Sequence, residues 1–242
     1  MCGRFTIYPT PTELQEFFDL FRTDDFAPRY NVAPTQTVPI IRHDDDGHRV
    51  GNLLRWGLIP PWANSAAEGA KMINCRSESA ATKPAFRRAF KERRCLVPAS
   101  GFYEWQAAAA KPGGAKQPWY ISPKDAPMFA FAGLFEAWRP HADAEGKAAV
   151  ARSEEWLLTC CIVTTAPNAI MAPIHDRMSL ILARAHWDAW LNRERHDPAA
   201  LAPLLQGVAA ASMQAWPVSR AVNRGSAEGE ALIAPLDPPP RT

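Results

Sequence analysis

The 242-residue sequence holds no run approaching the roughly 18 apolar residues of a membrane-spanning helix. Its opening, Met1-Cys2-Gly3-Arg4, reaches a charge before any apolar stretch, so no secretory leader is expected. Cysteine is sparse: Cys2, Cys75, Cys95, Cys160 and Cys161 form no Cys-x-x-Cys pair, so neither a zinc site nor any other metal centre is expected. An odd number of thiols without a small disulfide scaffold reads as a reducing, cytoplasmic setting. There is no internal repeat and no regular alternation of strand and helix signals, which excludes a doubly wound sheet. Lysine is scarce too, 7 of the 27 basic residues against 20 arginines, and 25 acidic residues leave a formal charge of +2. Codon bias would give this skew, as would a use for the planar guanidinium fork that suits phosphates.

Hydrophobic residues make up 47% and charged residues 21%, the balance of a chain that can bury a core. Proline, 23 residues, is scattered rather than repeated, which predicts short elements and ordered turns. Helical spacing of Leu14, Phe17, Phe18 and Phe21 predicts a helix over 12–21, with a threonine available as its cap. A second short helix, 84–92, puts Phe86, Ala89 and Phe90 on one side and Arg87, Arg88 and Lys91 on the other. Further helices are expected near 183–192 and 197–206. Strand signals fall at 37–41, 49–56, 94–97, 101–106, 119–121, 128–135, 157–164, 178–182 and 212–218. The Asp-Gly in 43–48 reads as a hairpin turn rather than a metal site. The segments 107–118 and 139–154 lack periodic apolar residues and read as loop insertions. The expectation is one α+β domain over 1–242, compact and strand-rich, with mixed or antiparallel barrel-like sheets and a few short peripheral helices.

Cys2 carries the sharpest chemistry. If Met1 is removed, residue 2 presents an α-amine and a thiol on adjacent carbons, with ordinary pKa values of about 7.7–8.0 and 8.5. Such a pair can condense with an aldehyde to an imine and then close a five-membered thiazolidine. Alternatively the thiolate attacks a carbonyl with the amine as base. Gly3 allows close backbone approach, and Arg4 can meet an anion. A small residue at a frayed terminus is the plain alternative.

Charge is distributed unevenly. Between Asn74 and Cys95 seven basic residues stand against two acidic ones, a local +5 on a chain whose remainder is −3. That is either a footprint for a polyanion or a solvated helix face. In Gly101–Gln106 (GFYEWQ) a carboxylate, Glu104, sits among bulky apolar neighbours. Burial there would raise its pKa toward general acid/base range, while a solvated strand glutamate is the plain alternative. His175 precedes Asp176-Arg177 at a strand entry, where a proton shuttle or a structural histidine would both fit.

Seven strings, in order, resemble one family: MCGRF at 1–5, RYNVAP at 29–34, RWGLIPPWA at 55–63, INCRSESA at 73–80, CLVPASGFYEW at 95–105, IHDRM at 174–178 and PVSRAVN at 217–223. The chain is similar to the SOS response-associated peptidase (SRAP) family, whose members sense abasic sites in single-stranded DNA. The resemblance implies a β-rich α+β fold with a basic DNA groove, no cofactor, and a covalent thiazolidine between Cys2 and the ring-opened sugar. By the same resemblance Asn74 orients the terminal amine, Glu104 is the acid/base, and His175 shuttles protons. It also implies DNA contacts by Arg4, Asn31, Pro34, Trp62, Arg76 and Arg177. AP-lyase elimination from the imine and self-removal of Met1 are implied side activities; a nucleoid-associated monomer is expected. Ser179 departs from a common proline, and Ala63 from a second tryptophan. Other readings of the residues are an N-terminal-nucleophile glutamine amidotransferase, a thiol peptidase, and a non-catalytic single-strand binder. The first is weakened by the absence of any Asn-Gly dipeptide.

Overall fold

In the chain's longest apolar runs both faces of the strand are covered, which is why they read as continuous rather than alternating. The computed structural model describes residues 2–107, 114–139 and 156–236. In chain order its strands are β1 (Arg4–Ile7), β2 (Arg22–Thr23), β3 (Arg29–Val32), β4 (Thr37–His43), β5 (Arg49–Trp56), β6 (Asn74–Arg76), β7 (Arg94–Ala99), β8 (Gly101–Gln106), β9 (Gln117–Pro123), β10 (Phe129–Trp138), β11 (Leu157–Thr165), β12 (Met178–Ser179) and β13 (Met213–Pro217). The α-helices are α1 (Pro11–Phe18), α2 (Ser77–Ala80), α3 (Pro84–Glu92), α4 (Trp187–Leu191) and α5 (Pro198–Leu201). The strand-rich α+β expectation holds.

Five strands close into a barrel. β4 pairs β5 and β7, β7 pairs β10, β10 pairs β11, and β11 returns to β5 in parallel through Thr159 opposite Arg55 and Cys160 opposite Trp56. Closure leaves these strands no open edge over that length. Every residue of β7 is buried, as are nine of the ten in β10. A second sheet runs β13-β9-β8-β1-β3. Only Ser100 separates β7 from β8, so the chain passes almost straight from barrel to sheet. Glycine is required at 101, because a Cβ there would lie 2.4 Å from the Tyr120 hydroxyl and 2.6 Å from the Ile121 carbonyl.

Aromatic rings lock the two layers together. Phe5 of the sheet meets Trp56 of the barrel edge-on at 5.1 Å, and Phe102 meets Phe131 at 5.7 Å. All four are fully buried. Burying a ring of this size holds β1 down and thereby fixes the residues just before it.

Several expected boundaries move. The first helix spans 11–18 rather than 12–21. Thr10 and Glu13 form a reciprocal capping box at its start, and Asp19, at φ 54°, turns left-handed and caps its end. Phe21 therefore lies outside the helix, exposed and stacked on His48 at 4.5 Å. The helix expected over 183–192 is a 3₁₀ turn followed by α4. That over 197–206 is α5 continued by a 3₁₀ turn. The strand expected over 178–182 pairs only as β12, with a single further bridge from Ile181 to Phe131. The Asp-Gly hairpin forms, with Gly47 at φ +85°. Of the two loop insertions, 108–113 and 140–154 fall outside the described residues, while Gln117 and Pro118 begin β9.

Candidate active site

Three elements distant in sequence meet at Cys2. The residue lies two before β1 and is fully buried. Its carbonyl accepts a 2.8 Å hydrogen bond from the Asn74 side-chain amide. Asn74 is held there because β6 runs parallel to β11, with Asn74 opposite Ile162. The indole of Trp56 donates to the Ile73 carbonyl at 2.9 Å, pinning the residue before it. The other end of the Asn74 amide, Oδ1, is buried with no hydrogen-bond partner among the described residues. A buried acceptor left open beside a nucleophile marks a place for an incoming donor.

Glu104 comes from β8, whose residue Tyr103 lies opposite Arg4 of β1. Its side chain is almost wholly buried, so it is not a solvated strand glutamate. Burial pushes its carboxyl above the ordinary range, while the positive character of His175 pulls the other way. His175 Nε2 lies 3.9 Å from Glu104 Oε2. On the opposite edge of the ring, Nδ1 accepts from the Arg177 backbone N–H at 3.0 Å and lies 2.8 Å from Asp176 Oδ1. Accepting at Nδ1 places the neutral ring's proton on Nε2, toward Glu104. On charging, Nδ1 becomes a donor and Asp176 is in reach to receive it. Each protonation state of His175 thus has a partner, the arrangement a proton relay needs.

The Cys2 thiol is pushed up to about 12, by burial first and by the negative charge of Glu104 second. The Ser179 hydroxyl opposes that rise. Ser179 is itself fully buried, and its oxygen has no hydrogen-bond partner among the described residues. The sequence marked Ser179 only as a departure from a family pattern; the structure brings it to the thiol. Cys75, Cys95, Cys160 and Cys161 are buried free thiols in the core.

The remaining candidates fall into two groups. Arg76 and Trp62 are exposed, Trp62 to 55%, and Pro34 is half-buried. Asn31 is fully buried, and its amide donates to the carbonyls of Arg224 and Ala227 at 3.1 and 2.9 Å. Its Oδ1 accepts from Arg4 at 2.8 Å, so here Asn31 positions Arg4 instead of presenting itself to a ligand. Arg177 is tied to both carboxylate oxygens of Glu78, at 2.5 and 2.9 Å, and to the Thr164 carbonyl at 2.7 Å. Among the described residues Asp44, Asp46 and His48 alone cluster as metal-capable groups. They are the hairpin turn itself, with Asp44 Oδ1 accepting from the backbone of Asp46 and His48.

Residues 1–225 match the sequence profile of the SOS response associated peptidase (SRAP) family. The chain belongs to the SRAP family. Within it, the chain is 44% identical over 226 residues to the abasic site processing protein YoaM of Bacillus subtilis, covering 92% of this chain and 93% of that one. It is 30% identical over 244 residues to the abasic site processing protein YedK of Escherichia coli, covering 98% and 100%. A solved structure of a protein from Bacteroides thetaiotaomicron superposes with a TM-score of 0.81 at 25% identity, over 97% of this chain and 99% of that one. The SRAP fold thus accounts for both the barrel and the sheet that carries Cys2.

Proposed function

We propose that this chain processes abasic sites in single-stranded DNA by forming a covalent adduct through Cys2. Met1 caps the Cys2 nitrogen as an amide, so it must leave before that nitrogen can react. The freed amine then adds to the C1′ aldehyde of the ring-opened sugar and expels water, giving an imine. The Cys2 sulfur next bonds to the carbon of that imine in its protonated form, whose nitrogen keeps its proton, while the thiol proton passes to Glu104. The net change is aldehyde plus aminothiol to thiazolidine plus one water.

The observation that carries this reading is the gathering of Asn74, Glu104 and His175 around Cys2. Asn74 holds the Cys2 carbonyl and offers Oδ1 to the amine. Glu104, raised by burial, protonates the departing hydroxyl as a general acid and afterwards accepts the thiol proton. His175 exchanges that proton with solvent. The high thiol pKa orders the steps, since the sulfur stays protonated until an iminium cation forms beside it. An imine acidifies the C2′ proton, so elimination of the 3′ phosphate is the expected side reaction. The relatives' names agree with abasic DNA as the substrate.

The test is incubation of purified protein with single-stranded DNA bearing one abasic site, followed by denaturing electrophoresis. Wild type forms a denaturant-stable adduct, and Cys2→Ala forms none. An undiminished adduct from Cys2→Ala overturns the proposal.

A further inference from the structure

At the far end of β11 from Asn74, the hairpin of β10 and β11 leaves the barrel, and two tryptophans stand in solvent there. Among the described residues only four large apolar side chains are exposed, and Trp62 (55%) and Trp156 (56%) are two of them. Both stand on rigid footings. Trp138 pairs with Leu157 across the hairpin, and its indole donates to the Ala63 carbonyl at 2.8 Å. Ile59, Ala63 and Trp138 form a small buried cluster directly beneath. Rings of this size held on fixed backbone and left in water mark an interaction surface.

The charge around them is positive. The Arg139 guanidinium lies 4.8 Å from the centre of the Trp156 ring. A groove of about 500 Å³ runs between Pro61 and Trp156, with Arg88 and Arg93 on its wall. Its acidic neighbours are already engaged, Glu136 with Arg93 at 2.5 Å and Glu92 with Arg88 at 3.3 Å. Arg87 and Lys91 are exposed on the same helix, α3. An arginine-backed tryptophan beside a cationic groove fits a nucleobase and its phosphates, the combination single-strand binders use.

We propose that this corner is a second nucleic-acid subsite, where a base of the strand flanking the lesion stacks on Trp156 and its phosphates meet Arg88 and Arg139. The proposal rests on the abasic-site reading for its ligand and extends the site along β11. Ile162, the residue opposite Asn74, lies six positions on from Trp156, which is roughly 20 Å of strand. At roughly 3.4 Å per stacked nucleotide that distance is about six nucleotides, fewer where the strand is stretched. One flank of the lesion therefore reaches the tryptophan, and the other runs away from it.

The experiment uses fluorescent single-stranded oligonucleotides carrying a tetrahydrofuran abasic analogue, with 2 or 10 nucleotides on either side. The analogue has no aldehyde, so binding is read by anisotropy whether or not Cys2 crosslinks. Failure of the crosslinking proposal would show separately, in the Cys2→Ala comparison on authentic abasic DNA. Wild type gains affinity when one particular flank is lengthened and little when the other is. Trp156→Ala loses most of that gain, about ten-fold, Arg139→Glu loses it as well, and Trp156→Phe keeps most of it. As a fold-independent readout, bromodeoxyuridine placed in the favoured flank photocrosslinks to the peptide containing Trp156. Equal flank dependence in wild type and Trp156→Ala, or a photocrosslink mapping to another face, overturns the subsite.

Discussion

Replacing Asn74 by alanine tests how the site holds its nucleophile. The amide donates one 2.8 Å hydrogen bond to the Cys2 carbonyl, and no other donor to that carbonyl is described. Removing one partner of a partly buried bond costs about 1–3 kcal/mol, because the carbonyl is left without a donor. If the bond is retained through imine formation, that cost enters the barrier, and at 1.36 kcal/mol per factor of ten the rate falls roughly 5- to 150-fold. Asn74→Asp separates anchoring from acceptance. It keeps an acceptor at Oδ1 but sets a carboxylate oxygen against the Cys2 carbonyl, so its rate should fall at least as far. The assay is single-turnover crosslinking with excess protein, resolved on denaturing gels, with circular dichroism to confirm folding. A folded Asn74→Ala whose rate lies within two-fold of wild type would show that this bond does not position Cys2 for reaction.

Other substitutions probe the surroundings. Because burial holds the Glu104 carboxyl high, its protonated form favours the fold; that stability is present at acid pH and lost as pH rises through the raised value. Glu104→Gln should therefore gain Tm over wild type at pH 8 relative to pH 5 while losing crosslinking, and a pH-independent Tm difference contradicts this. Ser179→Ala removes the hydroxyl that eases thiol ionisation, so the crosslinking pH profile should move to higher pH; superimposable profiles contradict it. Phe5→Ala empties a fully buried ring position between the layers. It should cost about 3–5 kcal/mol, a Tm loss of roughly 6–20 °C at about 2–4 °C per kcal/mol, and differential scanning fluorimetry reads it.

The residues themselves carried some of this account and could not carry the rest. The strand carrying Glu104 formed over the expected residues, but its string left the carboxylate either buried among Phe102, Tyr103 and Trp105 or exposed on the strand, and only the packing of the sheet decides for burial. The Asp-Gly hairpin was plain, because a left-handed glycine is a local requirement. By contrast β6 is three residues whose only reason to be a strand is a parallel pairing with β11, some 88 positions away, and no local pattern encodes it. The bond between Asn74 and Cys2 spans 72 positions and entered only through family resemblance. Asn31 shows the limit of such transfer. An asparagine in a familiar string reads as a ligand contact, yet burial and the carbonyls of 224 and 227 give it the task of holding Arg4. Phe21 fits the helical spacing of its neighbours, and only the left-handed turn at Asp19 removes it from the helix.

In the proposed thiazolidine the amine and thiol of Cys2 both bond to one sugar carbon. Mass spectrometry of the adduct on abasic DNA, digested to the nucleotide-bearing peptide, measures this directly. The expected species is a peptide that begins at Cys2, lacks Met1, and weighs one water less than the peptide plus the ring-opened nucleotide, with no free thiol available to alkylation. An adduct that retains Met1, or whose Cys2 thiol still alkylates, would contradict the thiazolidine.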